Sequence, residues 1–196
     1  MKLLNNSGPA IFMYSVIALG VITSAICFGI YYSGCLDVDF ILWIGITFFT
    51  ITYHFWLRII LGNVSKLFNE KINHNQWWFK ERKFEKKLYK ILNVKKWKGK
   101  ALTYNPGDFD LKENSLEKLI HTMTKSELDH WINQVISIST MFFGLIRGET
   151  WIFVFTGIAA MIFDGQFIVI QRYNRPRVLK LLKREEENKN KKLTEV

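Results

Sequence analysis

Residues 10–32, "AIFMYSVIALGVITSAICFGIYY", carry no charged side chain, and their length decides the fold. A helix of roughly 20 residues, rising about 1.5 Å at each, crosses a hydrocarbon core of about 30 Å. A run of this kind belongs in lipid and not inside a soluble globule. A secretory leader would have a more basic start than Lys2 alone, a shorter apolar run and a small-residue cleavage site, so the segment reads as a retained transmembrane helix. Cys27 lies inside it and Cys35 in the turn that follows, which suits packing residues and not a disulfide framework.

Apolar blocks recur downstream, and four crossings are predicted at 9–33, 39–61, 131–146 and 151–172. The chain carries 27 Lys and Arg against 17 Asp and Glu, a formal charge of +10. Spread over a soluble domain, that excess would point to nucleic acid. Here it gathers in segment 62–130 and after Ile170, while the two short links carry almost none, so the positive-inside rule places both termini and the long segment in the cytoplasm and removes nucleic acid as a partner. The expected fold is an all-α integral membrane protein: four transmembrane helices with an amphipathic cytoplasmic helical insertion, forming one membrane domain of 196 residues.

The insertion, 62–130, opens with "WWFKERKFEKKLYKILNVKKWKGKAL" at 77–102, in which Phe84, Leu88 and Ile91 keep i, i+4, i+7 spacing and predict an amphipathic helix. Aromatic rings interleaved with lysines suit the headgroup layer of a membrane with anionic lipid. Asn105-Pro106-Gly107-Asp108 is a turn signal. A second helix is expected from Ser115, with Leu116, Leu119, Ile120 and Met123 on its apolar side, running into the third crossing. The tail, 178–196, is basic, and its end is expected to fray.

Glu127 and His130 stand three apart on that second helix, so they share a face. A carboxylate beside an imidazole fixes its tautomer and favours the protonated form, the support a general base needs when it deprotonates an alcohol. Glu-x-x-His is also half of a di-iron site, but His54, His74 and His121 lack the second copy, and His-Glu-x-x-His is absent, so no metal is expected. There is no Gly-x-Ser-x-Gly, no glycine-rich phosphate loop, and no His-x4-Asp pair of the kind many lipid acyltransferases carry. Asp164 interrupts the fourth crossing, where an unpaired carboxylate costs several kcal/mol, so it either serves function or pairs with a polar neighbour to fix packing.

"QRYNRPR" at 171–177 ends the fourth crossing at the depth where the third begins, and two helices joined by a short turn are antiparallel neighbours. The forks of Arg172, Arg175 and Arg177 suit phosphate or carboxylate. Pro176 is expected to stop the helix. A simple stop-transfer anchor would explain the arginines but not Gln171, Tyr173 and Asn174.

Three stretches, "VKKWKGK" at 94–100, "EKLIHTMTKSELDHW" at 117–131 and "QRYNRPR" at 171–177, make the chain resemble the glycosyl-diaponeurosporenoate acyltransferases of staphyloxanthin-type carotenoid biosynthesis. The resemblance spans roughly residues 39–184 and departs from the family at Asp164, where a neutral amide is expected, and at the added crossing 9–33. It implies transfer of a fatty acyl chain from an acyl thioester, acyl-coenzyme A or acyl carrier protein, to a sugar hydroxyl of a glycosylated carotenoid acid or similar glycolipid, at the cytoplasmic face of a bacterial cell membrane with no bound cofactor. In that reading His130, oriented by Glu127, is the base, and Asn174 or Tyr173 stabilises the oxyanion. Arg172, Arg175, Arg177, Lys95, Lys96 and Lys98 hold donor phosphates, with Trp97, Trp131 and Gln171 lining the site. The alternatives are a non-enzymatic protein that binds anionic lipid through its basic insertion, and, on Asp164 alone, a transporter.

Overall fold

The computed structural model describes residues 8–36, 38–65, 67, 71–101 and 106–194, and every regular element among them is helical. Lys2 and Asn105, used in the leader and turn arguments above, lie outside the described residues. The elements are α1 (Gly8–Tyr32), α2 (Asp39–Val64), α3 (Glu85–Ile91), α4 (Val94–Trp97), α5 (Leu116–Met141), α6 (Phe143–Arg147) and α7 (Thr150–Thr194). They are organised as two compact units, one of Met1–Lys66 with Trp131–Gly165 and the other of Leu67–His130 with Gln166–Val196.

In the first unit α1 packs on α2. Glycine permits the close approach: a Cβ at Gly45 would meet the Phe28 ring at 2.8 Å, and one at Gly20 would run into the Thr52 hydroxyl. Ile46, Ile152 and Phe153 form an apolar cluster with Phe28, Leu42, Trp43 and Phe143 around it. Among the described residues three helices, α1 (from Ile11), α2 and α7, are long and apolar enough to cross a membrane. The predicted third crossing, 131–146, is not one such helix, because α5 ends at Met141 and α6 starts at Phe143. Its polar content explains the difference. Asn133, Gln134, Ser137 and Thr140 are buried there, and the hydroxyls of Ser137, Ser139 and Thr140 donate back to the carbonyls of Asn133 and Ile136, bonds that bend helices.

Asp164 is fully buried and paired. Its Oδ2 accepts from Arg58 Nη2 and its Oδ1 from Asn133 Nδ2 at 3.2 Å. Arg58, near the end of α2, also lies over the rings of Phe55 and Phe163, at 5.4 and 5.5 Å. The neighbouring Gln134 donates to the Met161 carbonyl at 2.8 Å. The acid in mid-helix is thus one end of an ion pair that ties α2 to α7.

In the second unit α5 begins as its sequence predicts. The Lys118 amide donates to Ser115 Oγ at 3.2 Å, capping the first turn. Leu119, Ile120 and Met123 bury against Val178 of α7, with Leu116, Phe109, Leu179 and Leu182 packed around them. That packing corrects two expectations. Pro176 does not stop α7, which runs through it to Thr194. A helix-interior proline costs about 3 kcal/mol, and burial of an aliphatic side chain such as Val178 stabilises by about 1.5–3 kcal/mol, so the residues just beyond the proline offset it. The charged tail continues as helix instead of fraying, with i,i+4 pairs such as Glu185–Lys189 at 2.7 Å along it.

The 84–91 segment is also helical. Phe84 and Ile91 are 66% and 71% exposed, whereas Glu85 and Tyr89 are buried. The apolar stripe faces outward, and Glu85 and Tyr89 take the packed side.

Removing either partner of Arg58–Asp164 leaves a buried charge without its counterion, which costs about 3–5 kcal/mol. Arg58→Leu and Asp164→Leu are each expected to lower the thermal midpoint in detergent sharply, while the double replacement recovers most of the loss. Equal midpoints for wild type and both single variants would refute the pairing.

Candidate active site

The second unit is organised around one buried carboxylate. Glu127, on α5, has no exposed surface. Its Oε1 accepts from Arg172 Nη1 at 2.5 Å and its Oε2 from Arg175 Nη1 at 2.6 Å. The arginines stand three apart on α7, so both reach the same side of the helix.

Their other donors are also placed. Arg172 Nε and Nη2 donate to Glu85 Oε1 at 3.0 and 2.6 Å, and Nη1 and Nη2 reach the carbonyls of Trp78 and Lys80 at 3.0 Å. All five guanidinium N–H groups therefore have acceptors. Arg175 Nη2 donates to the Phe79 carbonyl, and its guanidinium lies 5.3 Å from the centre of the Phe79 ring. Tyr89 closes the network, donating its hydroxyl to Glu85 Oε2 at 2.7 Å. Burial and that bond to a carboxylate push the Tyr89 phenol well above the ordinary tyrosine range, so its proton stays in place.

Two carboxylates face two guanidiniums, so the cluster is electrically balanced. It fastens α3, α5, α7 and the 3-10 turn Trp77–Phe79 together. Arg172 and Arg175 are consequently engaged as internal clamps on Glu127, whereas the sequence reading had placed them on donor phosphates.

One turn beyond Glu127, His130 lies on Phe167 with ring centres 4.6 Å apart and planes within 10°. Another turn along α7, Gln171 Nε2 donates to Ser126 Oγ at 3.3 Å, while its Oε1 is buried and accepts no hydrogen bond. Ser126 and His130 on α5 thus face Gln171 and Phe167 on α7 in antiparallel order. A buried acceptor without a donor is expensive, and this one sits a single turn from the imidazole.

A second group lies further along α7. Asn174 Oδ1 accepts from Lys98 Nζ at 2.7 Å, which leaves the amide N–H groups of Asn174 as donors. The Tyr173 ring meets Tyr89 edge-on at 5.4 Å and carries Lys98 and Arg177 over its surface, at 5.0 and 3.5 Å. Arg177 also donates to the Tyr173 carbonyl. Lys98 is held below the ordinary lysine range by burial and by the nearby charges of Arg177 and Lys95. Trp97 is used locally, donating to the Leu92 carbonyl at 2.8 Å. Lys95 and Lys96 are exposed, and Trp131 belongs to the first unit.

The sequence reading missed Glu85, Tyr89 and Arg58. The signal for the first two was a glutamate and a tyrosine four apart in a lysine-rich helix, opposite the apolar stripe. Among the described residues no group of histidine, cysteine and carboxylate side chains is arranged to hold a metal ion.

A helical chain with three membrane-length helices and this polar cluster in its other unit defines a small membrane-associated protein. The chain belongs to the glycosyl-4,4'-diaponeurosporenoate acyltransferase family, whose family model matches residues 75–184, more than half of its length. It is 29% identical over 154 residues to the glycosyl-4,4'-diaponeurosporenoate acyltransferase of Staphylococcus aureus strain N315, covering 72% of this chain and 90% of that protein. The proteins of strains USA300 and Newman match at the same identity and coverage. No solved structure matches the chain.

Two outcomes test the cluster. Glu127→Ala leaves the buried Arg175 without a carboxylate and Arg172 with Glu85 alone, and is expected to destabilise the protein by about 3–5 kcal/mol, whereas Tyr89→Phe, which removes one hydrogen bond, costs about 1 kcal/mol; thermal melting in detergent distinguishes them. His74 supplies a pH test. Burial and the Arg175 guanidinium hold the His74 imidazole below the ordinary histidine range. The folded state therefore binds this proton less well than the unfolded state, and the stability involved is full above pH 6.5 and lost as pH falls below it. His74→Asn is expected to flatten the melting profile below about pH 6.5.

Proposed function

We propose that this protein is a membrane O-acyltransferase that moves a fatty acyl chain from an acyl thioester to a sugar hydroxyl of a glycosylated carotenoid acid. Family membership supports the reaction class. The observation that carries the assignment of the site is the position of His130: one helical turn from a carboxylate locked by two arginines, its ring held flat on Phe167, inside the matched segment.

In this reading the imidazole takes the proton of the sugar hydroxyl as that oxygen attacks the thioester carbonyl carbon. The tetrahedral intermediate collapses with cleavage of the C–S bond, and the thiolate leaves and takes up the proton from the imidazolium. Glu127 acts through the backbone and packing of α5, which its ion pairs fix, and so holds His130 in position. Gln171 Oε1 is the unfilled acceptor nearest His130 along α7 and is suited to a second hydroxyl of the sugar.

Asn174 lies seven residues past Phe167, about 10 Å along the helix. Its free amide hydrogens and the adjoining Lys98, Arg177 and Tyr173 suit the donor's polar end, where Lys95 and Lys96 add charge. The acceptor keeps its polyene in lipid and lifts its sugar to the interface, with both termini of the chain on the cytoplasmic side. Exposed Trp77, Phe84 and Ile91 among lysines fit a surface laid against the headgroups.

Membranes holding the protein, supplied with labelled long-chain acyl-coenzyme A and a glycosylated carotenoid acid, are expected to give an acylated glycolipid by mass spectrometry. His130→Ala is expected to lower turnover by at least about 10²-fold, the usual contribution of a positioned base, with its thermal midpoint retained. Full activity in a folded His130→Ala protein would sink the assignment.

A further inference from the structure

A cleft of about 400 Å³ opens in the second unit between α3, α4 and α7. Lys86 and Lys90, one turn apart on α3, stand on one side, and Lys95 of α4 and Arg177 of α7 stand on the others. The left-handed Asn93, at φ 51°, makes the tight turn between α3 and α4 that brings Lys95 to the cleft. Tyr89 and Tyr173 form the floor, edge to face.

No carboxylate lines this space. The glutamate closest in sequence, Glu85, has both oxygens committed to Arg172 and Tyr89. Among the described residues Lys90 and Lys95 have no ion-pair partner, and Lys86 has only an exposed Glu81 at 3.9 Å. The cations crowd one another enough that Lys98, beside the cleft, feels both Arg177 and Lys95. Four like charges around a cavity with no carboxylate in its lining repel one another and do not stabilise a fold. The arrangement is complete only with an anion, and the size admits a phosphate or diphosphate group.

We infer that this cleft is a phosphate-binding subsite for a small phosphate-bearing ligand, gripped by Lys86, Lys90, Lys95 and Arg177. The chemistry is the same for the diphosphate of a nucleotide-linked thioester and for the phosphodiester of an anionic lipid. The choice of coenzyme A as its source rests on the acyltransferase reading; the anion site does not.

The test uses the full chain in phosphatidylcholine nanodiscs, titrated calorimetrically with coenzyme A. Charge-assisted hydrogen bonds are strong enough that Lys90→Glu/Lys95→Glu should weaken binding at least about tenfold, and Lys90→Gln/Lys95→Gln should weaken it less. Lys83→Glu/Lys87→Glu, outside the cleft, should change it by less than about twofold, since exposed charges at that remove are screened. A second arm counts phosphatidylglycerol molecules retained by the same variants in native mass spectrometry. Loss of coenzyme A affinity in the cleft variants supports the site with the soluble source, and loss of phosphatidylglycerol alone supports it with the lipid source. Unchanged binding of both, or equal losses from the two lysine pairs, overturns it. The two proposals fail separately. A wild type that makes no acylated glycolipid but loses coenzyme A in the cleft variants refutes only the reaction. Transfer with unaltered KM for acyl-coenzyme A and unaltered phosphatidylglycerol retention in Lys90→Glu/Lys95→Glu refutes only the cleft.

Discussion

Glu127 between two guanidiniums is the constraint on which the second unit depends. A carboxylate with no exposed surface is tolerable only if its desolvation is met by close, well-directed donors, and here both oxygens are met from α7. That requirement sets the register of α5 against α7. Once Arg172 is drawn in, its remaining N–H groups need acceptors as well, and they take Glu85 and the carbonyls of residues 78 and 80. One buried acid therefore fixes two long helices, the short α3 and a 3-10 turn. His130, one turn further along α5, inherits its position from the same bonds.

The first unit solves the same problem with the signs reversed. There α7 supplies the acid, Asp164, and α2 supplies the base, Arg58. Eight residues later the same helix supplies bases to acids on α3 and α5. Such pairs add little net stability over well-packed apolar residues, but they are costly to mispair, so α7 carries an address for each unit. This accounts for Asp164 without giving it chemistry, and its partner was hidden because a single arginine near the end of an apolar helix reads as a boundary residue.

Long-period features were legible in the sequence. The apolar runs gave α1 and α2 to within a few residues, and the i, i+3, i+4 pattern after Ser115 gave the start of α5 with its buried Leu119, Ile120 and Met123. What failed depended on partners far away in the chain. Pro176 reads as a stop by local rules, and only the packing of Val178 on Leu119 and Ile120 carries the helix past it. Glu85 and Tyr89, opposite the stripe of Phe84, Leu88 and Ile91, are buried because Glu85 meets an arginine 87 residues away in sequence, which no local pattern announces. Arginine's fork suits a phosphate and a glutamate equally, so residue type alone could not separate Arg172 and Arg175, which are clamps, from Arg177, which faces the cleft.

That separation bears on how the proposed reaction would be laid out. Phe167, under His130, and Arg177, at the cleft, are ten residues apart on one uninterrupted helix, about 15 Å at 1.5 Å per residue. A donor anchored by its phosphates at Arg177 would have to span that distance to bring its thioester to the imidazole, which calls for a long arm between phosphate and sulfur and disfavours a donor activated directly as an acyl phosphate. Had Arg172 or Arg175 been the phosphate ligands, the anchor would lie within about one turn of Gln171 and compete with the sugar for the same space. Committing those two arginines to Glu127 keeps the anion's end of the helix apart from the hydroxyl's end, so that the structural clamp and the proposed division of donor from acceptor are consequences of one set of bonds.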